Sequence, residues 1–300
     1  MFNVFENVLT LFVFVIIGFT LCKTKISDNK MTQILSSLLV YVFLPAKIIS
    51  SMSHDCTVEY ISEKYVLVIA GAVVLILSML IFYPISKKMA KKEHEKWVYW
   101  YSFVAPNFGY FGYPLAESLF GAEGLLNLII FAIPTSFFCY TIGYCTLTKT
   151  KMSIKNLVTK PPLIATVLGA VLGLSGIHLP ETVNGILDMA GSCMGTVAMI
   201  LLGMVISEFN FSEFIKDKKI YILSLFRLMI IPFIVTFLVS LFGNRELTLA
   251  TLMMYALPFG LNTVVYTKLV GEDCRVGAGL VTVSTLFSCL SIPIIVNIFA

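Results

Sequence analysis

Ten apolar stretches follow one another almost without interruption from Phe5 to Phe299, and no water-soluble fold absorbs that pattern. A bilayer core about 30 Å thick takes roughly 20 apolar residues per helical crossing. The stretches are Phe5–Cys22, Met31–Ser51, Glu63–Lys87, Lys96–Phe120, Gly124–Thr148, Pro161–Ser175, Glu181–Ser207, Lys219–Phe242, Glu246–Val270 and Cys274–Phe299. Only 13% of the residues are charged, against about 25% in soluble domains, too few to cover a water-facing surface. Lipid is therefore the expected solvent, and the expected fold is an all-α polytopic membrane protein of ten transmembrane helices.

Basic residues test that reading, because cytoplasmic loops carry an excess of Lys and Arg. Alternate loops hold Lys23, Lys25 and Lys30; Lys87, Lys88, Lys91, Lys92 and Lys96; Lys149, Lys151, Lys155 and Lys160; Lys216, Lys218 and Lys219; and Arg275. The loops between them hold Lys64 and Arg245, together with Asp55, Glu59, Glu123 and Glu181. This alternation places the lysine loops in the cytoplasm and both termini outside. Lysines follow the first stretch and none precedes it, the reverse of a secretory signal peptide, so it is expected to stay as a helix. The same loops account for the net charge of +4, and nucleic acid is not an expected partner. The seven cysteines form no CxxC pair, so no metal site, disulfide framework or cofactor is expected.

The fourth and ninth stretches share a local pattern. Ala105-Pro106-Asn107-Phe108-Gly109 lies over Ala256-Leu257-Pro258-Phe259-Gly260, and the two stretches end near Gly121 and Gly271. Both hold the fourth place of five, in halves spanning residues 1–148 and 161–300, divided by a lysine-rich linker at 149–160. An odd number of helices per half inverts the second half, an arrangement that puts a substrate site near the midplane between the halves. Pro106, Gly109, Gly112 and Pro114 in one stretch, and Pro258 and Gly260 in the other, predict helices broken near mid-membrane. Such breaks are tolerated only where protein or a water-filled cavity surrounds the freed backbone groups. The N-terminal end of each second half then offers roughly half a positive charge and spare N–H donors, enough to bind a carboxylate. Asn107 and Asn262, able to donate and accept, are the side chains expected to face it.

Charged residues within a membrane are costly and are functional candidates by default. Lys47, following Leu44-Pro45-Ala46, either meets an anion or snorkels outward. Glu117 and Lys268 lie beyond the two breaks, where snorkelling or a local ion pair is expected. Asp188 and Arg227 either line a cavity or pair with polar backbone, and the sequence leaves that open. No charge falls between Lys64 and Lys87, so no proton relay is expected through the third helix.

These residues resemble the auxin efflux carrier family, which includes plant auxin carriers and bacterial permeases of small carboxylates such as malate and malonate. Val42-Phe43-Leu44-Pro45-Ala46 is similar to that family's second-helix signature, and Pro106-Asn107 with Gly112-Tyr113-Pro114-Leu115 to its fourth-helix crossover. Pro161-Pro162-Leu163, Gly176-Ile177-His178-Leu179-Pro180, Ala256–Gly260 and Ser291-Ile292-Pro293 follow in the family's order. The resemblance implies ten helices, both ends outside, a bile-acid-symporter-like fold, a scaffold and a transport domain, elevator-type alternating access and a homodimer. It also implies that Asn107 contacts the substrate carboxylate. Lys47 stands where many bacterial relatives look hydrophobic, and the short linker resembles microbial rather than plant members.

The expected function is a plasma-membrane carrier, not an enzyme, for a small organic anion: a mono- or dicarboxylate such as malate or an auxin-like acid. Expected substrate-binding residues are Asn107, Asn262, Pro106, Pro258, Gly109, Gly260 and Lys47, with Pro114 and Gly112 shaping the crossover. The coupling ion, a proton or sodium, is left open. A sodium-coupled bile-acid-type symporter of the same architecture remains an alternative, with Asn107, Asn262, Thr263 and carbonyls as the available oxygen ligands. A channel is a further alternative. An intramembrane enzyme is disfavoured, because His54, His94 and His178 lie in or beside loops on both sides of the membrane.

Overall fold

The structure, a computed structural model, describes residues 2–151, 159–209 and 216–300. Of the linker expected at 149–160, residues 152–158, with Lys155, lie outside the described residues. The described chain is helical. In order the helices are α1 (Phe2–Lys23), α2 (Asn29–Leu38), α3 (Leu44–Asp55), α4 (Val58–Met89), α5 (Glu93–Val104), α6 (Tyr113–Tyr140), α7 (Ile142–Thr148), α8 (Pro161–Ser175), α9 (Glu181–Ser207), α10 (Lys218–Leu225), α11 (Ile231–Ser240), α12 (Arg245–Tyr255), α13 (Asn262–Leu269) and α14 (Arg275–Phe299).

Among the described residues seven helical stretches are long and apolar enough to cross a bilayer: Val4–Lys23, Asn29–Asp55, Val58–Met89, Phe108–Thr148, Glu181–Ser207, Lys218–Ser240 and Arg275–Phe299. Three expected stretches differ for physical reasons. Pro161–Ser175 is apolar but only 15 residues long. The ninth is divided into α12 and α13 by the non-helical residues around Pro258. The fourth is cut after Val104, and its second part is parted from the fifth at Gly121, where two helical runs meet at a kink with φ 69° and ψ −163°. Gly271, at the end of the ninth stretch, has φ 67°. Both angles lie in the left-handed region that a side chain disfavours.

Among the described residues three short π-helical turns, Leu39–Phe43, Phe108–Gly112 and Phe226–Ile230, each end two residues before a proline: Pro45, Pro114 and Pro232. Proline has no N–H to donate and its ring crowds the carbonyl four residues back, and a wider turn relieves that crowding without ending the helix. Pro114 therefore sits in the first turn of α6, one turn past the break, and is not itself the point where the helix breaks.

α1 packs along α9, and α8 along α3; α4 lies on α5 and α6, α11 on α12, and α10 on α14. Glycines permit the close packing of these helices: a side chain at Gly169 or Gly173 would meet Met52 and Cys56 of the α3 region, and one at Gly191 would meet Lys47. At the centre of these layers lie the buried residues Phe103, Phe111, Leu257 and Phe259, where the two broken helices meet.

Candidate functional site

The first break begins one residue before Pro106. Steric conflict with a following proline pushes a residue out of the helical region, and Ala105 is extended, at φ −118° and ψ 99°. The second break follows Tyr255 and contains Pro258. The two segments run past each other antiparallel: Pro106 and Phe259 form an isolated backbone bridge, and Asn107 N–H donates to the Pro258 carbonyl at 3.0 Å. Gly260 makes that approach possible, since a Cβ there would lie 2.6 Å from the Ala105 carbonyl oxygen. Gly112 lets the Leu257 side chain close over it in the same way.

Beyond each break a helix restarts. The Asn107 carbonyl accepts from the N–H groups of Phe111 and Gly112 at 3.1 and 2.9 Å. The N–H groups of Phe108, Gly109 and Tyr110 precede those bonds and have no acceptor within their own helix. Asn262 opens α13.

A cavity of about 30 Å³ lies at the crossing, lined among others by Asn107, Gly109, Tyr113, Ser136, Thr166 and Asn262. It also touches Pro106 and Gly260. One water needs roughly 10 to 15 Å³ of such space, so the cavity has room for two or three waters at most and for no organic acid in this conformation. Asn107 is 2% exposed, and among the described residues its side-chain Nδ2 has no protein hydrogen-bond partner. Leaving such a donor unpaired costs roughly 1 to 3 kcal/mol, a cost that an arriving acceptor would remove. Asn262 Nδ2 donates to the Tyr101 hydroxyl at 3.3 Å. A ligand placed between the two asparagines would meet an unsatisfied donor on one side and a weakly held one on the other. No side chain is near the position of a Gly109 Cβ, so a larger residue there would occupy this space.

A second cavity of about 290 Å³ shares Tyr110, Tyr140, Pro162 and Asn262 with the first and reaches Lys160. Its wall is rich in tyrosine: Tyr41, Tyr110, Tyr140, Tyr144 and Tyr266. Lys160 Nζ lies 4.2 Å from the centre of the Tyr144 ring, and Tyr144 packs edge-on to Tyr266 at 5.0 Å. Sequence reasoning singled out none of these tyrosines. The pairs Tyr110/Tyr113 and Tyr140/Tyr144, three and four residues apart, mark helix faces, but which faces meet is a tertiary fact.

The membrane charges resolve individually. Lys47 forms an ion pair with Glu117 and does not line either cavity. Lys268 pairs with Glu208. Asp188 accepts from Ser50 Oγ at 2.5 Å. Arg227, left undecided by the sequence, is fully buried: its Nε donates to the Leu257 carbonyl at 3.2 Å and its Nη1 to the Phe103 carbonyl at 3.4 Å.

Fold and site together define a polytopic α-helical membrane protein in which two non-helical segments meet by an antiparallel backbone bridge at the core. The chain belongs to the membrane transport protein family, that of the auxin efflux carriers, whose pattern matches residues 3–156 and 145–296. It is 23% identical over 295 residues to an uncharacterized transporter of Methanothermobacter thermautotrophicus, covering 96% of each chain. It is 24% identical over 304 residues to an uncharacterized transporter of Methanocaldococcus jannaschii, again covering 96% of each.

Proposed function

We propose that this membrane transporter is a secondary carrier of a small organic anion, a mono- or dicarboxylate, working by alternating access around the crossing of its fourth and ninth segments. The observation that carries this reading is the buried, unpartnered Nδ2 of Asn107 beside a helix start whose N–H groups lack acceptors. A carboxylate there gains the donors of both asparagines and the positive end of a helix, with no cation in contact.

In this reading the chain crosses the membrane ten times, in two inverted five-helix halves, with both termini outside the plasma membrane, and acts as a homodimer. The packing supports the repeat. The first segment lies against the seventh as the sixth lies against the second; the third packs on the fourth and fifth as the eighth packs on the ninth and tenth. Exchanging the halves maps each pair onto another. The cavity of about 290 Å³ is then the inward path, since it reaches Lys160 at the end of the lysine-rich linker, and the smaller cavity is the closed site beyond it.

A thermal-shift panel of mono- and dicarboxylates on the purified chain tests the reading, because a ligand of the folded state raises its apparent stability. A stabilising carboxylate that also exchanges in counterflow from proteoliposomes is the expected result. Stabilisation by none of the panel would remove the anion from this account. Uptake that requires sodium would move the protein to the bile-acid-type symporter alternative.

A further inference from the structure

Arg227 is the charge that the proposed transport cycle leaves unused. It lies in the π-helical turn Phe226–Ile230, is 0% exposed, and belongs to none of the ion pairs among the described residues. An unpaired guanidinium inside a membrane protein is costly unless its surroundings carry compensating negative charge. Its two acceptors supply part of that, while its Nη2 has no hydrogen-bond partner among the described residues. Phe103 is the next-to-last residue of α5, and Leu257 lies two residues past the end of α12. Both carbonyls are at the C-terminal ends of the first halves of the broken helices. The guanidinium also lies 5.5 Å from the centre of the Tyr255 ring, on the last residue of α12.

Each such C-terminal end carries roughly half a negative charge, so two together match one guanidinium. Without Arg227, the crossing would hold two negative and two positive helix ends in one small volume, and their fields would largely cancel. With it, the negative ends are neutralised and the positive ends at Phe108–Tyr110 and Asn262 are left uncompensated beside the cavity.

We propose that Arg227 is a positioning residue that makes the crossing selective for anions: bonded to the ends of both first half-helices, it cancels their negative charge without touching the substrate. The inference rests on the crossing being the site proposed above, but its test needs no substrate. A thiol introduced by Gly109→Cys, where a Cβ meets no neighbour, reports the local field whenever the carrier opens the crossing, through its rates of reaction with methanethiosulfonates bearing a sulfonate or a trimethylammonium group. The measurement uses the full chain in proteoliposomes, subtracts the reaction of the seven native cysteines, and scales the ratio of rates to that for free cysteine.

The anionic reagent should be favoured by about tenfold with Arg227 in place, and by less than about twofold after Arg227→Gln. Arg227→Lys, which keeps the charge and loses the fork, should retain most of the preference. An unchanged ratio in Arg227→Gln overturns the proposal. So does loss of the preference in Arg227→Lys, which decides the matter even where the glutamine variant does not reach the membrane. A carboxylate screen that finds no ligand, beside a ratio that follows the charge at position 227, would sink the proposed substrate and leave this inference standing.

Discussion

Asn107 and Pro258 meet main chain to main chain, the Asn107 N–H donating to the Pro258 carbonyl at 3.0 Å across residues 151 positions apart in the sequence. Helix breaks normally leave such groups to water. Here each break satisfies part of the other, which is why two proline-containing interruptions coexist in the buried centre of a membrane protein.

Gly260 and Gly109 predict opposite outcomes for the same substitution. Gly260→Ala sets a Cβ 2.6 Å from the Ala105 carbonyl oxygen, and the backbones must separate. A loss of roughly 2 kcal/mol or more is expected, seen as a lower melting temperature of the purified protein. Gly109→Ala meets nothing, so the fold should hold while the cavity narrows and carboxylate uptake falls at least several-fold. Equal melting temperatures for the two variants would contradict this packing.

Lys47 pairs with Glu117 away from the cavities, so Lys47→Met should leave the KM for a transported carboxylate within about twofold, with any loss falling on yield or maximal rate. A KM raised tenfold would return Lys47 to the substrate site.

Much of this arrangement is legible in the sequence where a local rule governs it. Pro106 and Pro258 mark the breaks because proline acts on its immediate neighbours, and Gly121 and Gly271 mark turns because few residues accept a positive φ. Segments four and five look separate in the hydropathy pattern, and Gly121 parts them, with φ 69° and ψ −163° at a kink between two helical runs. Pairings across the fold leave no local signal. Lys47 and Glu117 are 70 residues apart, and Arg227 reaches carbonyls 30 and 124 residues away. The tyrosines of the larger cavity are dispersed among 13 in the chain, and only tertiary packing gathers them.

His94, just before the fourth segment, predicts a pH response of the fold. It is buried, with Nε2 3.4 Å from the Thr267 hydroxyl, and burial holds its imidazole below the ordinary histidine value, with Lys149 acting the same way against Glu272 and Asp273. A base whose folded-state pKa is lowered binds fewer protons folded than unfolded. Its contribution is complete above the unfolded value of about 6.5 and is lost as the pH falls below it. The melting temperature should therefore drop between about pH 7 and pH 5, and His94→Gln should flatten that slope. An unaltered slope in the variant would assign the acid sensitivity to other groups.

The central claim is that the buried amide of Asn107 receives the substrate carboxylate. Isothermal titration of the stabilising carboxylate into purified parent protein and Asn107→Ala tests it most directly. Loss of a hydrogen bond to a charged group costs roughly 1.5 to 3 kcal/mol, so the variant should remain folded and bind about ten- to a hundredfold more weakly. Equal affinity in a folded Asn107→Ala protein would contradict the account.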